Sequence, residues 1–223
     1  FNHPLIWSGY RNILIILAVA LPYQLFMTLL CGYFMFCKGM MFKKPIMALI
    51  LFTMFFGGGL IPSYLNMRSL GLYNNLWALI IPTGVSVYNS IIVRSAIDGI
   101  PPSLFEAAEI DGATYIKILC SIYVPLSKPV FATLALFTAV IQWNSWFDAM
   151  LYNRMKGEYT TLQYELMKLL SSVTNQGNSV EAMKNAAGSV TPTSVRAAAT
   201  ILTMLPIICL YPFLQRYFVT GLT

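Results

Sequence analysis

The chain has 223 residues, of which 57% are hydrophobic and only 10% are charged. A soluble domain carries about 25% charged residues, so this composition excludes a water-facing globular surface and indicates an integral membrane protein. The 14 Lys and Arg residues give a net charge of +6. They are spread thinly along the chain, which is typical of the flanks of membrane spans and argues against nucleic-acid binding.

Five stretches are apolar over about the 20 residues that a bilayer span requires. In chain order they are about 12–36, 45–65, 73–97, 130–151 and 197–218. Each is apolar on every side, without the alternation of a membrane β-strand, so the predicted fold class is all-α, a polytopic bundle of transmembrane helices. A break is expected where Gly57–Gly59 and Pro62 interrupt the second stretch, and a kink at Pro82 and Gly84 in the third.

The polar segment 153–196 is the longest connection between spans. Leu162, Leu166 and Leu169 are spaced as one face of a short amphipathic helix. The Ser, Asn, Gly and Thr residues from 171 to 194 predict a loop after that helix.

The distribution of Lys and Arg leaves the orientation open. If residues 37–44 lie inside, seven basic residues fall on each side of the membrane. The three lysines of that short loop favour placing it inside. The inner set is Lys38, Lys43, Lys44, Arg94, Lys117, Lys128 and Arg216, and the outer set is Arg11, Arg68, Arg154, Lys156, Lys168, Lys184 and Arg196.

The connection 98–129 carries four of the eight acidic residues and predicts two short helices. The prolines at 101 and 102 favour a helix start, and Ser103 with Glu106 has the spacing of a capping box. Gly112 permits a sharp turn at positive φ, and a second helix from Ala113 to about Tyr123 is expected to stop before Pro125. Arg94 and Asp98, just before this connection, have the spacing of an ion pair.

The residues of this connection are suited to a surface on which another protein surface docks closely. Small side chains at Ala107 and Ala108 let another surface approach, and Glu106 and Asp111 add charge. An amphipathic helix lying on the membrane face explains the same residues, so the physical argument alone leaves both interpretations open.

The spacing resembles the cytoplasmic "EAA" loop of ABC-transporter permease subunits, E-A-A-x-x-D-G-A followed by I-x-x-P. The residues at the matching positions are Glu106, Ala107, Ala108, Asp111, Gly112, Ala113, Ile122 and Pro125. Val124 stands where leucine is common. In that family the loop forms the coupling helix, which docks in a cleft of the ATP-hydrolysing subunit.

Other segments resemble the carbohydrate-uptake branch of this family, close to maltose-type permeases for complex saccharides such as aldouronates or lipoprotein-linked substrates. The segments are 57–62, 69–72, 142–148 and 211–218. The resemblance implies a type I ABC importer permease with five spans here and a sixth upstream of Phe1. It also implies a single transmembrane domain over 1–223, a cytoplasmic coupling loop at 98–129 and an extracellular loop at 153–196.

The resemblance further implies the partners of the chain. A second permease subunit, as a heterodimer, two copies of an ABC ATPase and an extracellular substrate-binding lipoprotein are expected in a bacterial plasma membrane. The chain lacks a G-x-x-x-x-G-K-[ST] motif, so it is expected to be non-catalytic, with ATP and Mg on the partner ATPase and no cofactor of its own. Its ligand is expected to be a carbohydrate, with no nucleic acid.

The fourth span offers a candidate substrate path. Trp143, Asn144, Trp146 and Asp148 combine aromatic faces with hydrogen-bonding groups, as a sugar site requires. Helical spacing places Asn144 and Asp148 on one face, and Trp143 and Trp146 on a neighbouring one. An interfacial position for the tryptophans, or contact with the partner permease or binding protein, is the alternative. Weaker candidates in the third span are Tyr88 and Asn89.

Two other function classes compete with an ABC importer of sugars. An ion-coupled secondary transporter needs ionisable residues deep in several spans, where only Asp148 is a candidate. An intramembrane enzyme needs a nucleophile with a base, or a metal site, and the sequence has one histidine and no such motif. Import of a non-sugar solute by the same ABC mechanism is also open.

Overall fold

The structure is a computed structural model, and it describes residues 4–37 and 41–177 together with isolated positions between 194 and 208. These residues are helices and their connections, with no β-strand among them, in agreement with the predicted all-α class. The helices are α1 (Pro4–Phe36), α2 (Lys43–Phe55), α3 (Leu60–Ser69), α4 (Trp77–Ile80), α5 (Val87–Asp98), α6 (Pro102–Ile110), α7 (Tyr115–Ile118), α8 (Val124–Leu126), α9 (Lys128–Asn144), α10 (Phe147–Tyr152) and α11 (Leu162–Gly177). Shorter turns are the 3₁₀ turns Ile81–Thr83 and Gly157–Tyr159 and the π-turn Leu119–Tyr123.

Within the described residues, α1 is long and apolar enough to cross a bilayer by itself. Three further pairs of helices reach that length and hydropathy only together, and each pair is bent. The bends are 116° between α2 and α3, 44° at Gly84–Ser86 and 77° between Leu126 and Lys128. α1 and the first two pairs correspond to the first three predicted spans, whereas the third pair, 115–144, shares only residues 130–144 with the fourth. The fifth, at 197–218, lies mostly outside the described residues.

Both predicted interruptions are confirmed. The helical pattern of the second stretch stops at Phe55 and resumes at Leu60. Gly59 has a φ of 90°, which a residue with a side chain rarely adopts. At the second interruption, a Cβ on Gly84 would lie 2.6 Å from the Tyr23 hydroxyl oxygen, so any other residue there would require the Tyr23 side chain to move.

Two boundaries differ from the prediction. α9 ends at Asn144 and the chain resumes as α10 at Phe147, so the fourth stretch is not one continuous helix. The expectation that Asn144 and Asp148 share a face, with Trp143 and Trp146 on a neighbouring one, is therefore wrong. The predicted loop from 171 is wrong as far as 177, because α11 continues to Gly177. Polar residues continue a helix when its apolar face is already packed.

The chain forms two compact units, of which the first comprises Phe1–Ala18, Tyr64–Leu79 and Ala139–Phe213. One apolar cluster of this unit joins the start of α1 to α11 through Ile13, Trp143, Leu162 and Leu166. The leucine face predicted for 162–169 is thus confirmed as the packed face of α11. A second cluster contains Met67, Ala78 and Tyr152.

Polar contacts tie the segment after α10 to the start of α1 inside this unit. The Asn12 side-chain amide donates to the backbone carbonyls of Glu158, at 2.6 Å, and Thr160, at 3.0 Å. A Cβ on Gly9 would lie 2.9 Å from the backbone of Leu162. The Glu165 carboxylate, 3% exposed, accepts a hydrogen bond from the Thr160 hydroxyl at 2.7 Å.

The second unit comprises Val19–Ser63, Ile80–Thr138 and Leu214–Thr223. α1 and α5 approach closely here, because a Cβ on Gly32 would lie 2.8 Å from Val93 Cγ1 and 2.9 Å from the Ser90 carbonyl oxygen. The last carbonyls of α1, Phe36 and Cys37, accept hydrogen bonds from the Lys43 ammonium at 3.3 and 2.5 Å. The predicted pairing of Arg94 with Asp98 is confirmed at 3.4 Å.

Candidate functional site

The first helix of the connection 98–129 is α6, which begins at Pro102 with Pro101 as its N-cap residue. Pro102 supplies a φ suited to the first helical position and has no N–H group to satisfy. No side chain caps this end. The predicted capping box of Ser103 and Glu106 is therefore wrong, because Ser103 already lies inside the helix.

The end of α6 is a Schellman motif centred on Gly112. The Ala113 N–H donates to the Ala108 carbonyl at 2.9 Å, and the Gly112 N–H donates to the Glu109 carbonyl at 3.0 Å. Gly112 has a φ of 71°, as this motif requires. A Cβ at this position would meet no atom within 4 Å, so the backbone angle alone selects glycine.

The helix after Gly112 begins at Tyr115, where the Thr114 hydroxyl oxygen accepts a hydrogen bond from the Lys117 N–H at 3.4 Å. It does not stop before Pro125 as predicted. A π-turn at Leu119–Tyr123 leads into α8, and the Val124 N–H donates to the Leu119 carbonyl, five residues earlier. This wider turn removes the α-helical contact that a proline ring cannot tolerate.

The side chains of α6 divide into a packed and an exposed face. Phe105 and Ala108 pack against the core of the second unit, and after the turn Ala113 and Ile122 do so as well. The other face leaves Ile110 87% exposed. Also exposed are Glu106, Ala107, Glu109, Asp111, Gly112, Ile116 and Pro125. The exposed face therefore combines three carboxylates with uncovered apolar side chains.

The C-terminal part of α1 holds this connection in place. The Tyr33 hydroxyl donates to the Tyr115 carbonyl at 3.0 Å. The ring of Tyr123, in the π-turn, lies 5.8 Å from that of Tyr33 and 5.3 Å from that of Phe36. Ile97 and Ile118 complete the cluster, so α1, α5 and the connection share one apolar core.

Of the predicted substrate-path residues, Trp143 is packed inside the first unit. It is 5% exposed and lies against Ile13 and Leu162. Its indole N–H donates to the Thr203 carbonyl at 3.2 Å, and its ring lies 6.2 Å from that of Tyr10. Both the faces and the polar edge of this side chain are thus used in packing.

Asn144 and Trp146 lie beside an open groove of about 300 Å³. The groove is lined by Trp146, Gln163, Leu166, Met167, Leu170, Thr200 and Thr203. Trp146 is 37% exposed, and the Asn144 side-chain oxygen accepts from the Gln163 amide at 3.3 Å. The groove therefore offers an aromatic face, one amide and two hydroxyls.

Asp148 does not line that groove. It lies in the first turn of α10, half-buried, beside a small separate cavity that Gln142, Ser145 and Thr161 also line. Tyr88 and Asn89 belong to α5 in the second unit, where Tyr88 is exposed and the Asn89 N–H donates to the Ser86 hydroxyl oxygen at 3.3 Å. The structure thus separates the six residues into four settings.

The sequence alone marks neither Tyr33 nor Gln163 as part of these sites. Tyr33 lies about 80 residues before Tyr115, and nothing in the spacing of an apolar helix marks one tyrosine as a hydrogen-bond donor to it. Gln163 lines the groove because α11 packs on α9. The leucine spacing predicted that one face of α11 is buried, but not which helix it packs against.

Comparison with known proteins gives a family match over nearly the whole chain. The family model described as "Binding-protein-dependent transport system inner membrane component" matches residues 6–223. The chain is 32% identical over 222 residues to the polygalacturonan/rhamnogalacturonan transport system permease protein YtcP of Bacillus subtilis (strain 168), covering 99% of this chain and 77% of YtcP. It is 37% identical over 225 residues to Protein LplC of the same organism, covering 100% of this chain and 74% of LplC.

The structure is similar to a solved chain from a bacterial ABC transporter involved in the import of the acidic polysaccharide alginate. The TM-score is 0.84 and the sequence identity is 31%, and the match covers 97% of this chain and 76% of that chain.

Proposed function

The chain belongs to the family of binding-protein-dependent transport system inner membrane components, and from this membership we propose that it is one transmembrane subunit of an ATP-driven carbohydrate importer. The family match over residues 6–223, together with the exposed face of α6, is the observation that carries the proposal. The chain is a permease subunit, and the proposed importer resides in a bacterial plasma membrane.

The carbohydrate assignment rests on similarity to named transport proteins. YtcP is named for polygalacturonan and rhamnogalacturonan transport, and the similar solved structure belongs to an importer of alginate. These substrates are all polymers of sugars. Almost the whole length of this chain aligns with YtcP and with the solved chain. We therefore assign an oligosaccharide as the substrate, delivered by an extracellular binding protein.

The exposed face of α6 is the proposed docking site for the ATPase. Its exposed carboxylates, together with the uncovered Ile110 and, on α7, Ile116, give a surface that combines apolar and charged side chains. That is the composition of a protein interface. The Schellman turn at Gly112 fixes the angle at which α6 meets the following helix.

The packed face of α6 supports a route for the movement. Phe105 and Ala108 lie on the same apolar core as Tyr33 of α1 and Ile97 of α5. Closely packed side chains transmit displacement because interiors are dense and poorly compressible. When the ATPase subunits close and displace α6, α1 and α5 are expected to move with it and open the path to the other side.

The remaining assignments are proposed for the outer side. Residues 153–177 face outward and contact the binding protein, and the groove beside Trp146 is the part of the predicted substrate path that presents an exposed aromatic face. Trp143 supports this groove from behind by packing against Leu166. ATP and Mg bind to two copies of the ATPase, and a second permease subunit completes the pathway.

The test is to purify the tagged chain in mild detergent and identify what accompanies it. An ATPase at two copies per complex and one different permease are expected. In liposomes, this complex with its binding protein should accumulate an oligosaccharide only when ATP is supplied on the ATPase side. A chain that purifies alone and moves solute without ATP would overturn the proposal and favour an ion-coupled transporter.

A further inference from the structure

The proposed outer side of this protein carries as much positive charge as the inner side. Seven of the 14 basic residues but only three of the eight acidic residues lie in segments assigned to the outside. The positive-inside rule predicts a deficit of Lys and Arg there. We therefore expect some of the Lys and Arg residues on the outer surface to have a role, such as binding an anion.

The described outer cations differ in what they contact. Lys168 pairs with Glu165 at 3.3 Å, and the Lys156 ammonium lies over the Tyr159 ring, 5.4 Å from its centroid. Arg68 and Arg154 are both exposed, and neither is paired with a carboxylate in the part of the chain that the structure describes. Arg11 is likewise exposed and has no carboxylate partner among those residues, so three guanidinium groups remain open to an external anion. Of these, Arg68 and Arg154 adjoin one and the same aromatic cluster.

A cluster of three tyrosines, Tyr64, Tyr73 and Tyr152, brings these arginines into one place. The Tyr64 ring lies 5.7 Å from that of Tyr73, edge to face, and 6.4 Å from that of Tyr152, stacked. Arg68 follows Tyr64 by one turn of α3, and Arg154 follows Tyr152 by two residues.

The backbone around this tyrosine cluster is fixed. The Asn74 N–H donates to the Tyr152 carbonyl at 3.0 Å, which joins the turn after α3 to the end of α10. Gly71 and Asn74 both have positive φ, so the turn has a defined shape. Met67 and Ala78 pack beneath it, against Tyr152. The two arginines therefore project from a supported surface rather than from free loop tips.

We propose that Arg68 and Arg154, with the tyrosine cluster, bind the carboxylate of an acidic oligosaccharide as it enters the importer. The inference rests on the proposed function and narrows its substrate class to saccharides that contain uronic acids. Guanidinium groups bind carboxylates with two parallel hydrogen bonds, and tyrosine adds an aromatic surface with a hydroxyl. A neutral sugar gives the arginines no matching charge.

Two other anions have the same charge, and the experiment must separate them from a uronate. An acidic surface of the binding protein would meet the arginines whether or not sugar is present. A lipid phosphate would meet them only in anionic membranes. The tyrosine cluster favours the sugar, because ring faces and hydroxyls beside a cation match the alternating apolar and polar surface of a saccharide.

The test uses the complete complex in liposomes with its binding protein. The probes are trigalacturonate, trimannuronate, their methyl esters and maltotriose. Uptake of one uronate is expected to exceed uptake of its ester at least ~10-fold.

Arg68→Gln and Arg154→Gln should each raise KM for that uronate about tenfold at unchanged kcat, the loss of one charge-assisted hydrogen bond. The matched control Arg11→Gln removes the same charge from another exposed position and should leave KM within about twofold.

Three results would overturn this inference while leaving carbohydrate import intact. Uptake of maltotriose or of the esters but of neither uronate would exclude an acidic substrate. Weaker binding of the sugar-free binding protein to both arginine variants would identify a docking contact instead. An effect on KM that disappears in vesicles of neutral lipid would identify a lipid contact. Failure to take up any of the saccharides would count against carbohydrate import itself.

Discussion

The hydroxyl of Tyr33 near the end of α1 donates a hydrogen bond to the backbone carbonyl of Tyr115, 3.0 Å away, in the first turn after the Gly112 bend. Tyr33 is only 9% exposed, so this bond is sheltered from water. It links the first long helix directly to the connection on which the ATPase is proposed to act.

Removing this hydroxyl should weaken the link without unfolding the protein. In Tyr33→Phe the ring remains packed against Tyr123, and the Tyr115 carbonyl keeps its helical partner, the Leu119 N–H. The loss is about 1 kcal/mol, so the amount of substrate moved per ATP hydrolysed should fall up to about fivefold.

Tyr23→Phe is the matched control for that measurement. Tyr23 lies on the same helix, and its hydroxyl has no hydrogen bond to the described residues. Its variant should couple normally. Equal coupling ratios in Tyr33→Phe and the native complex would show that the link carries no movement.

The angle between α6 and the following helix should depend on the backbone at Gly112. Gly112→Val places a β-branched residue at a φ of 71°, which costs at least ~1–2 kcal/mol and breaks the Schellman hydrogen bonds. The complex should assemble but lose the stimulation of ATP hydrolysis by the loaded binding protein. Gly112→Asn tolerates this angle and should retain most of the stimulation. Normal stimulation in the valine variant would argue against this position as the coupling turn.

The close approach of α1 and α5 predicts a steric effect at Gly32. In Gly32→Ala the new methyl group would meet Val93 Cγ1 at 2.8 Å and the Ser90 carbonyl oxygen at 2.9 Å. The expected cost is ~1–3 kcal/mol, seen as a lower unfolding temperature in detergent. Gly57→Ala is the comparison, because a Cβ there meets nothing within 4 Å. If both variants unfold alike, the packing of α1 on α5 is looser than these distances state.

The contacts of Asn12 predict which part of the segment 153–177 is held most firmly. Asn12→Ala removes the donor to the Glu158 and Thr160 carbonyls at a site only 3% exposed, at a cost of ~1–3 kcal/mol. Hydrogen exchange of residues 157–162 should then accelerate. Ser8→Ala removes only a 3.2 Å contact that is exposed, so it should change exchange much less. An unchanged exchange rate in Asn12→Ala would mean that α11 alone holds the segment.

The sequence predicted the parts of the fold that depend on local pattern. Apolar length predicted the spans, three glycines and a proline predicted the break before Leu60, and the leucine spacing predicted the packed face of α11. It failed where a tertiary contact decides the outcome. The interruption at Ser145 has no glycine or proline to mark it, and the Thr161 hydroxyl donates to the Ser145 carbonyl there at 3.0 Å.

The candidate sites were predictable to different degrees. The positive φ at Gly112 follows from the residue itself, as glycine is the usual choice for that backbone. The sequence predicts the substrate path as one face of a continuous helix. Because α9 ends at Asn144, the predicted residues on either side of that end do not share a helix face. The arginines at 68 and 154 are far apart in the chain, so no spacing rule joins them. Only the packing of Tyr64 on Tyr152 does.

The π-turn at Leu119–Tyr123 has a consequence for the length of this segment. Such a turn holds one residue more than an α-helical turn, and each residue of a helix rotates the next by about 100°. All side chains from Val124 onward therefore point about 100° away from where an uninterrupted helix from Tyr115 would aim them. Loss of a single residue between 119 and 123 would make this turn α-helical and cancel that offset, so the later side chains would keep their present directions. The segment can thus lose one residue here without rotating the side chains that follow.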